Sequence, residues 1–491
     1  MAGAEHPPVP HVQMLTSATQ KIRQFLAVPW RRSVAWLLLL GPFFFLSYGY
    51  ANHQAAASGV NTSLFFAWER QIPFWAWTII PYWSIDLFYG LSFLCCRNSL
   101  EVDRHAGRLL TAQLLSVGGF LLWPLHFAFE RPAADGLFGA MFNALAGFDQ
   151  PYNQAPSLHI SLLLLIWQRF ATCANERRWP APVKGLLHAW ALLIGVSVLT
   201  TWQHHFIDLP TGAAVGLFCL WLWPDDQFAC PWQRNRQGER QARRRLVIRY
   251  LAGAAVALAL MLVIGHFWPA LPGAENGFGS HGWAALALVG IGLLGWLMLA
   301  LLLVAFNYAW AGAPGFQKLA GRHTLAAQGL LAPYFLGARL NARWWSARHP
   351  QADHIADEVW LGHLPSASEM RLGGYNGLCD LTAELAAPTG PWRYAGLPWL
   401  DLVPPDHEQL LAAAKTIAEM RIQCRGRIRV ACALGYSRSA MAVIAWLRYS
   451  GQAASLSIAV ARVRAQRPGV VLSAAHMEAL ATFEQHLAQS Q

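Results

Sequence analysis

The sequence predicts a multi-pass α-helical membrane bundle of about eight spans, followed by a C-terminal cytoplasmic α/β domain. Its 491 residues are 55% hydrophobic and only 13% charged, whereas about 25% of the residues of an average soluble protein are charged. The mean hydropathy is +0.29, and apolar stretches recur as far as residue 310, after which the chain becomes more polar. This composition excludes an intrinsically disordered chain, a fibrous protein and a small disulfide-rich scaffold.

Eight apolar stretches are long enough to cross a bilayer, which requires about 20 residues. The second is interrupted by Pro81 and Asp86, residues that a spanning helix tolerates when they face the interior of a bundle. The stretches lie near Val34–Tyr50, Pro73–Cys96, Leu109–Phe129, Leu158–Ala174, Gly185–Thr201, Phe206–Trp223, Tyr250–Trp268 and Trp283–Trp310.

Lysine and arginine are distributed unevenly between the loops. The N-terminal segment and the loops after the second, fourth and sixth stretches hold 17 of them, and the alternate loops hold only Arg70 and Arg131. Because basic loops stay on the cytoplasmic side, this bias predicts a cytoplasmic N-terminus and a cytoplasmic C-terminal domain. It also explains the net charge of +11 by contact with the membrane, so membrane phospholipids are expected partners and nucleic acid is not.

The first stretch has two interpretations. Arg31 and Arg32 precede its apolar run and the small residues Ala55–Ser58 follow it, as in a cleavable signal peptide. The polar segment ahead of it is about 30 residues long, which is longer than the charged region of a signal peptide. An uncleaved anchor is therefore favoured.

The positions and spacing of the cysteines argue against a zinc site and against structural disulfides. None of the eight lies in an outward loop, and no CxxC pair or His/Cys cluster has the spacing of zinc ligands. We therefore expect no structural disulfide, no metal and no cofactor.

The C-terminal domain contains a cysteine and an arginine separated by five residues, Cys432 and Arg438, with Ser439 next. An apolar strand, Ile428–Ala431, precedes this loop and a helical pattern follows it from residue 440 to 449. In such a loop, backbone amides converge on an anion and favour the nucleophilic thiolate of Cys432. Arg438 is expected to bind two phosphate oxygens, Gly435 to permit the tight backbone, and Ser439 to donate a hydrogen bond to the leaving sulfur.

This loop resembles the signature of cysteine-dependent protein tyrosine phosphatases, in their dual-specificity branch. The resemblance implies a phosphocysteine intermediate at Cys432, with Asp401, 31 residues before it, protonating the leaving oxygen and then activating water. The likeness extends over about Val359–Phe483: Val359–Gly362 and Leu378–Glu384 resemble the first two strands, and Gly396–Pro405 resembles the segment of the general acid.

One residue departs from that family. Ala431 stands where the family has a histidine before the cysteine, which implies activity that is slower or shifted to higher pH, with a catalytically inactive phosphatase-like domain as the alternative. The residues between Cys432 and Arg438 add no positive charge. A monophosphate ester is therefore expected, either a phosphoprotein or a lipid head group.

Titratable residues lie at the outward ends of two apolar stretches. Ser157 and His159 begin the fourth stretch, and His204 and Asp208 begin the sixth. Because His204 and Asp208 are four residues apart they share a helix face, and the carboxylate can orient the imidazole and raise the basicity of its other nitrogen. That suits a histidine nucleophile, with Ser157 binding phosphoryl oxygens and His159 acting as general acid. Hydrogen bonding between helices is the structural alternative.

These residues resemble the second (P-S-x-H) and third (H-x3-D) motifs of type 2 phosphatidic acid phosphatases, also called lipid phosphate phosphatases. The resemblance implies a metal-independent reaction in which His204 attacks phosphorus, Asp208 orients it and His159 protonates the leaving alkoxide. In the first motif Arg131 is present, whereas Pro124 stands where lysine is usual. Arg131 is therefore the expected phosphate clamp, and His205 is expected to be only a neighbour.

The segment Leu319–His349 mixes arginines with apolar side chains, for example Arg339 and Arg343 with Leu340 and Trp344. This pattern is typical of helices that lie on a membrane surface. It is equally compatible with a linker that packs on the catalytic domain, so both interpretations stay open.

The whole chain resembles a bacterial inner-membrane fusion family that joins the two phosphatase types, and this implies a bifunctional phosphatase. Phosphotransfer at the outer site, or a bundle that only anchors or senses lipid for a protein phosphatase, are the alternatives. The oligomeric state stays open. The predicted parts are a cytoplasmic segment (1–32), a six-span lipid-phosphatase-like domain (33–224), a basic cytoplasmic loop (225–249), two further spans (250–310), a juxtamembrane linker (311–355) and a dual-specificity phosphatase domain (356–491).

Overall fold

The protein is described by a computed structural model, and the structure describes residues 20, 24–235, 240–267 and 282–490. Most of the predicted segment 1–32, Arg236 in the basic loop and the end of the seventh predicted span at Trp268 lie outside the described residues. The chain divides into two compact units, residues 1–227 with 267–288, and residues 228–266 with 289–491.

The first unit is helical. Its helices follow the predicted apolar stretches, with one further short helix between the third and fourth stretches. They are α1 (Pro29–Ala57), α2 (Ile79–Ser92), α3 (Ser99–Leu122), α4 (Gly136–Ala146), α5 (Leu158–Glu176), α6 (Ala181–Thr200) and α7 (Asp208–Leu222). The second unit begins with two long helices, α8 (Arg240–Phe267) and α9 (Gly282–Phe306), although the first turns of α9 belong to the first unit.

Within the residues that the structure describes, five helices are long and apolar enough to cross a membrane, by length and composition. They confirm five of the eight predicted stretches as apolar helices, and they cover Pro29–Ala57, Ala76–Cys95, Ala181–Thr200, Arg240–Phe267 and Leu286–Ala311. The other three stretches lie on α3, α5 and α7, which are more polar or shorter, and their crossing stays a prediction. The third stretch was predicted to reach Phe129, but α3 ends at Leu122 because Pro124 disfavours helical backbone at the residue before it.

Charged side chains inside α3 and α5 are paired, as expected for charges among packed apolar helices. Arg169 lies 3.4 Å from Glu101, and Arg108 lies 2.7 Å from Asp225. These pairs explain how α3 and α5 carry charge inside the bundle while their remaining faces are apolar.

The second unit contains a five-stranded sheet covered by helices. The strand order is β3–β4–β7–β5–β6, and every pair is parallel except β3 with β4. The strands are β3 (Asp353–Ala356), β4 (Val359–His363), β5 (Tyr375–Thr382), β6 (Arg393–Trp399) and β7 (Arg427–Cys432), and the helices are α12 (Ala367–Leu372), α13 (His407–Gln423), α14 (Arg438–Tyr449), α15 (Leu456–Gln466) and α16 (Ala474–Ser490).

Three neighbouring strands end at the same edge of this sheet. Cys432 is the last residue of the central strand β7, Glu384 follows β5, and Asp401 follows β6. Because β5, β6 and β7 are parallel, their carboxyl ends lie together, which is where open α/β sheets place their ligand sites.

The segment between the spans and the sheet has two parts, a hairpin that packs on the sheet and a helix with exposed apolar side chains. A short hairpin, β1 (Lys318–Leu319) with β2 (Arg322–His323), packs on the sheet: Lys318 Nζ donates to Asp380 Oδ2 at 2.6 Å and to the Thr382 carbonyl at 2.8 Å. After α10 (Leu325–Leu330), helix α11 (Ala332–Ser346) leaves Leu336, Leu340 and Trp344 exposed. The hairpin fits the packed-linker interpretation, and α11 has the exposed apolar stripe of a surface helix.

Candidate active sites

The Cys432 loop connects the buried strand β7 to the first turn of α14. The thiol of Cys432 is 3% exposed, and its Sγ accepts hydrogen bonds from the Gly435 N–H and the Ser439 hydroxyl, each at 3.2 Å. Ser439 therefore lies where it was predicted to stabilise a leaving thiolate. These donors, together with the start of α14, make the loop a site for an anion.

Position 435 requires glycine for two reasons: its backbone φ is positive, and there is no space for a side chain. Its φ is +77°, and a Cβ there would lie 2.4 Å from the carbonyl carbon of Gly362 and 2.7 Å from the nitrogen of His363 on β4. Since the close atoms are backbone atoms, no side chain can move away to make room. The loop is therefore held against the end of β4.

Arg438 is buried and oriented by a carboxylate that the motif analysis did not select. Its Nη1 and Nη2 donate to the two Glu384 oxygens at 3.0 and 2.6 Å, and Nη1 also donates to the Trp399 carbonyl at 3.0 Å. Burial alone would raise the pKa of Glu384, but the ion pair and hydrogen bonds with Arg438 lower it. Glu384 is therefore ionised and fixes the plane of the guanidinium.

Asp401 lies on the loop after β6, and its Oδ1 is 2.9 Å from Arg438 Nη2. Its side chain is 43% exposed. Desolvation by the surrounding protein raises the pKa of Asp401, Glu384 adds to that effect, and Arg438 opposes it. A carboxyl that holds its proton to higher pH, beside the phosphate-binding arginine, suits a general acid.

Arg467 is a second positioning residue that the motif analysis did not select. It is fully buried, and its Nε and Nη2 donate to the backbone carbonyls of Gly435 and Leu434 at 2.8 and 3.3 Å. Its Nη1 pairs with Asp353 at 2.7 Å. Arg467 thus fixes the back of the phosphate loop from the end of α15, 32 residues further along the chain.

Ala431 lies in a closely packed environment. It is completely buried, in a cluster with Leu364, Met370, Leu378 and Trp392. Its partner on the neighbouring strand β5 is Asp380, a buried carboxylate that already accepts hydrogen bonds from Lys318 and Tyr394. A histidine at this position would therefore need space that packed side chains occupy.

In the first unit, the predicted histidine and serine motifs meet. His204 Nδ1 lies 3.1 Å from Asp208 Oδ2, and His204 Nε2 lies 3.2 Å from Ser157 Oγ. Ser157 is the N-cap of α5, and its Oγ accepts from the Ile160 N–H. A phosphoryl group beside Ser157 and His204 would therefore face both a candidate histidine nucleophile and a helix N-terminus.

A cavity of about 60 Å³ adjoins this pair and is lined by both His159 and His204. The ring of His159 stacks on Tyr82 at 4.2 Å, and its Nε2 has no hydrogen-bond partner among the described residues. Asp86 and Asp149 also line the cavity. Tyr48 and Tyr82 donate hydrogen bonds to Asp149, at 2.7 and 3.4 Å.

Two predicted residues of this region have partners elsewhere. His205 Nδ1 lies 2.9 Å from Glu69, and its Nε2 accepts from the Ala128 N–H, so His205 holds the connecting segments together. Its place outside the reaction stays a prediction. The guanidinium of Arg131 lies over the Phe142 ring at 4.7 Å. Among the described residues, the cavity lining does not include Arg131, and its role as a phosphate clamp stays a prediction.

Within the described residues, no group of three or more His, Cys, Asp or Glu side chains could hold a metal ion. All eight cysteines are free thiols.

No protein-family model and no curated protein matches the chain. Part of it is similar to solved phosphatase structures. Tk-PTP in its active form is 27% identical, with a TM-score of 0.26 over 28% of this chain and 98% of that chain. Human DUSP28 is 22% identical, with a TM-score of 0.25 over 29% of this chain and 100% of that chain. A mouse dual-specificity phosphatase complexed with zinc tungstate is 22% identical, with a TM-score of 0.25 over 29% and 91%.

Proposed function

We propose that the protein is a bifunctional membrane phosphatase with one phosphocysteine site and one phosphohistidine site. The observation that carries the proposal is the joint placement of four side chains around one loop, where Ser439 lies 3.2 Å from Cys432 and Asp401 lies 2.9 Å from Arg438. A nucleophile, a bidentate phosphate ligand and an acid with a raised pKa are the parts that hydrolysis of a phosphomonoester requires.

At this site the reaction has two steps. The thiolate of Cys432 attacks phosphorus, the ester P–O bond breaks, and Asp401 gives its proton to the leaving oxygen. Asp401 then takes a proton from water as the water attacks phosphorus, the S–P bond breaks, and inorganic phosphate leaves. Arg438 neutralises the phosphoryl oxygens in both steps, and Ser439 donates to the sulfur as it leaves.

The topology is part of the proposal. The loop charge bias supports eight crossings of a bacterial inner membrane, with the N-terminus and the Cys432 site in the cytoplasm and the His204 site facing the periplasm. Two exposed alanines test it: Ala133→Cys, before α4, should react with a membrane-impermeant thiol reagent in intact cells, and Ala181→Cys, at the start of α6, should not. The wild type, with eight native cysteines, sets the background, and the reverse pattern would contradict the orientation.

For the outer site we propose a metal-independent lipid phosphatase reaction through phosphohistidine. The contacts of His204 with Asp208 and Ser157 support it, because one ring nitrogen is oriented by a carboxylate and the other lies beside a helix N-terminus. The proposed acid that protonates the leaving alkoxide is His159, whose Nε2 has no partner within the described residues.

One observation favours a second candidate reaction at this site, the transfer of a phospho-head group between lipids. The cavity beside His204 is lined by two carboxylates, Asp86 and Asp149, and by the aromatic rings of Tyr48, Tyr82 and Trp83. Carboxylates repel a phosphomonoester dianion, whereas carboxylates with aromatic faces attract an ammonium head group. A phosphodiester lipid with such a head group would suit this cavity better than phosphatidic acid.

A panel of lipids assayed with the wild type, Cys432→Ser and His204→Ala tests both sites. We expect Cys432→Ser to remove only the cytoplasmic hydrolysis and His204→Ala to remove only the outer, EDTA-resistant reaction. Released phosphate would indicate hydrolysis at the outer site, and a new head-group lipid would indicate transfer. Loss of both activities from either change in an inserted, folded protein would contradict two independent sites, and an unchanged outer reaction in His204→Ala would leave the bundle as an anchor or lipid sensor.

A further inference from the structure

The general-acid loop of the Cys432 site is attached to the end of a membrane helix. Tyr308 lies in the π-helical turn Asn307–Ala311 that continues α9, within the candidate span Leu286–Ala311. Its side chain is 1% exposed, and its hydroxyl donates to the backbone carbonyl of Asp401 at 3.2 Å. Arg243 Nε on α8 donates to the Tyr308 carbonyl at 2.7 Å. Helices α8 and α9 therefore meet at the turn whose Tyr308 hydroxyl bonds to the loop of Asp401.

The chain between the span and the sheet adds further direct contacts. The ring of Tyr308 lies 5.3 Å from that of Tyr250 on α8, which lies 5.8 Å from Tyr334 on α11. The hairpin binds the end of β5, where Lys318 pairs with Asp380 and His323 bonds to the Ala383 carbonyl at 2.9 Å. The catalytic sheet is therefore packed against its own spanning helices.

These contacts tie the site to the end of a candidate span. A span ends where the hydrocarbon ends, and the polar head-group layer beyond it is about 5–8 Å thick on each side. The carbonyl of Asp401 is within hydrogen-bond distance of the last turn of such a span, and its carboxylate contacts Arg438. With the candidate span Leu286–Ala311 across the bilayer, the phosphate loop would lie close to the level of the lipid head groups.

Exposed apolar side chains lie next to the acid and along α11. Leu402, next to the acid, is 61% exposed and has a φ of +57°, an unfavourable backbone conformation for a leucine. On α11, the exposed side chains Leu336, Leu340 and Trp344 are spaced four residues apart on one face, with the exposed Arg339 and Arg343 nearby. Such a face suits the interface between lipid and water.

We propose that the Cys432 site takes a phosphomonoester carried on a lipid of the adjacent leaflet, in preference to a phosphoprotein, and that Leu402 contacts the apolar part of that lipid. The inference rests on the proposed phosphatase function and names its substrate class. The head-group phosphate enters the loop while the acyl chains stay in the bilayer. A folded phosphoprotein would have to enter between the catalytic sheet and the membrane surface to reach the same cysteine.

The test uses the full chain with His204→Ala, reconstituted in vesicles, so that the outer site is silent. The substrates are vesicle-borne phosphatidic acid, a phosphotyrosine peptide and the soluble aryl ester p-nitrophenyl phosphate, and Cys432→Ser added to this background sets the blank for each. We expect turnover of the vesicle lipid to exceed that of the peptide and to depend on its mole fraction in the bilayer. Preferred turnover of the peptide would overturn the inference while leaving the phosphatase function intact. Loss of aryl-ester turnover by Cys432→Ser would support the phosphatase function by itself.

Two matched variants isolate the lipid contact. Leu402→Asn removes an exposed apolar side chain, and asparagine tolerates the positive φ. Leu372→Asn makes the same change at an exposed leucine at the end of α12. We expect Leu402→Asn to lower the ratio of lipid to aryl-ester turnover about 10-fold, the size of the effect of losing one well-packed aliphatic side chain, and Leu372→Asn to keep the ratio. An unchanged ratio in Leu402→Asn, or an equal loss of ratio in Leu372→Asn, would overturn the role of Leu402.

Discussion

The two candidate active sites differ in how far the protein itself satisfies their polar groups. In the Cys432 loop, Arg438 has carboxylate and carbonyl partners and the thiol accepts two hydrogen bonds. Beside His204, Nε2 of His159 and Oδ1 of Asp208 have no partner among the described residues. A buried polar atom without a partner is costly unless a ligand or water supplies one. The comparison indicates that the protein itself completes the loop, whereas the site between helices leaves polar atoms for water or a ligand to satisfy.

The largest expected effect is a loss of turnover that distinguishes His204 from the adjacent His205 in the helical site. In a Cys432→Ser background, His204→Gln should lower the outer reaction at least about 10³-fold, because it removes the nucleophile. His205→Gln changes the residue that pairs with Glu69 and should lower stability while turnover per folded molecule persists. Lipid turnover normalised to inserted protein measures both. Equal losses of turnover in the two variants would contradict the assignment of His204.

The second effect concerns the buried pair in the Cys432 site. Glu384→Gln removes the buried carboxylate that pairs with Arg438 and leaves it only the more exposed Asp401, and breaking a buried ion pair costs about 3–5 kcal/mol. Because the pKa of Glu384 is lowered in the folded state, the stability that it contributes is present above the usual carboxyl range and is lost as pH falls. Pulse proteolysis of the full chain in urea, with Glu478→Gln on the exposed face of α16 as control, measures the difference. A change no larger than that of the control would show that the pair adds no stability.

The third effect tests the acid. Asp401→Asn should slow alkyl phosphates about 100-fold and activated aryl phosphates much less, because only poor leaving groups need the proton. The raised pKa of Asp401 keeps this acid protonated to higher pH, so the wild-type rate on alkyl esters should fall only as pH rises through that pKa. The pH–rate profile of the variant should lose this high-pH limb. Equal slowing of both ester types would point to another acid; Asp406 is poorly suited to that role because its carboxylate caps α13.

The smallest effect concerns the missing histidine. From the sequence, Ala431→His would restore a family residue and speed the reaction. The apolar cluster around Ala431 changes this expectation, since inserting a larger side chain into a packed core costs about 1–3 kcal/mol. We expect lower stability in urea without faster turnover, and Ala433→His, on the loop, serves as the comparison. Faster turnover at unchanged stability would show that the core can accept the ring.

Sequence reasoning predicted the parts of each site that are close together in the chain. The strand before Cys432 and the helix after it were expected at Ile428–Ala431 and from residue 440, and they occupy Arg427–Cys432 and Arg438–Tyr449. The contact of His204 with Asp208 follows from helical spacing alone. Such features depend on local backbone geometry, which a short pattern of residues determines.

The residues that sequence reasoning missed act over long separations. Glu384 is 54 residues from the arginine that it orients, and Arg467 is 32 residues from the loop that it holds. A single charged residue after an apolar strand, or at the end of an amphipathic helix, is usually solvated, so neither carries a signal by itself. Tyr308 is a similar case, because only the tertiary packing of α9 on the sheet brings it to Asp401.

The crossing of α5 and α7 shows how a residue without functional groups can control chemistry. A Cβ at Gly212 would lie 2.4 Å from the Ser157 carbonyl oxygen and 3.0 Å from Cβ of Ile160. Any larger residue would have to separate the two helices that carry Ser157 and Asp208. For the interpretation of genetic variants, Gly212→Ala should therefore be expected to impair this site as a substitution of His204 would, although alanine is a mild replacement elsewhere in a membrane helix.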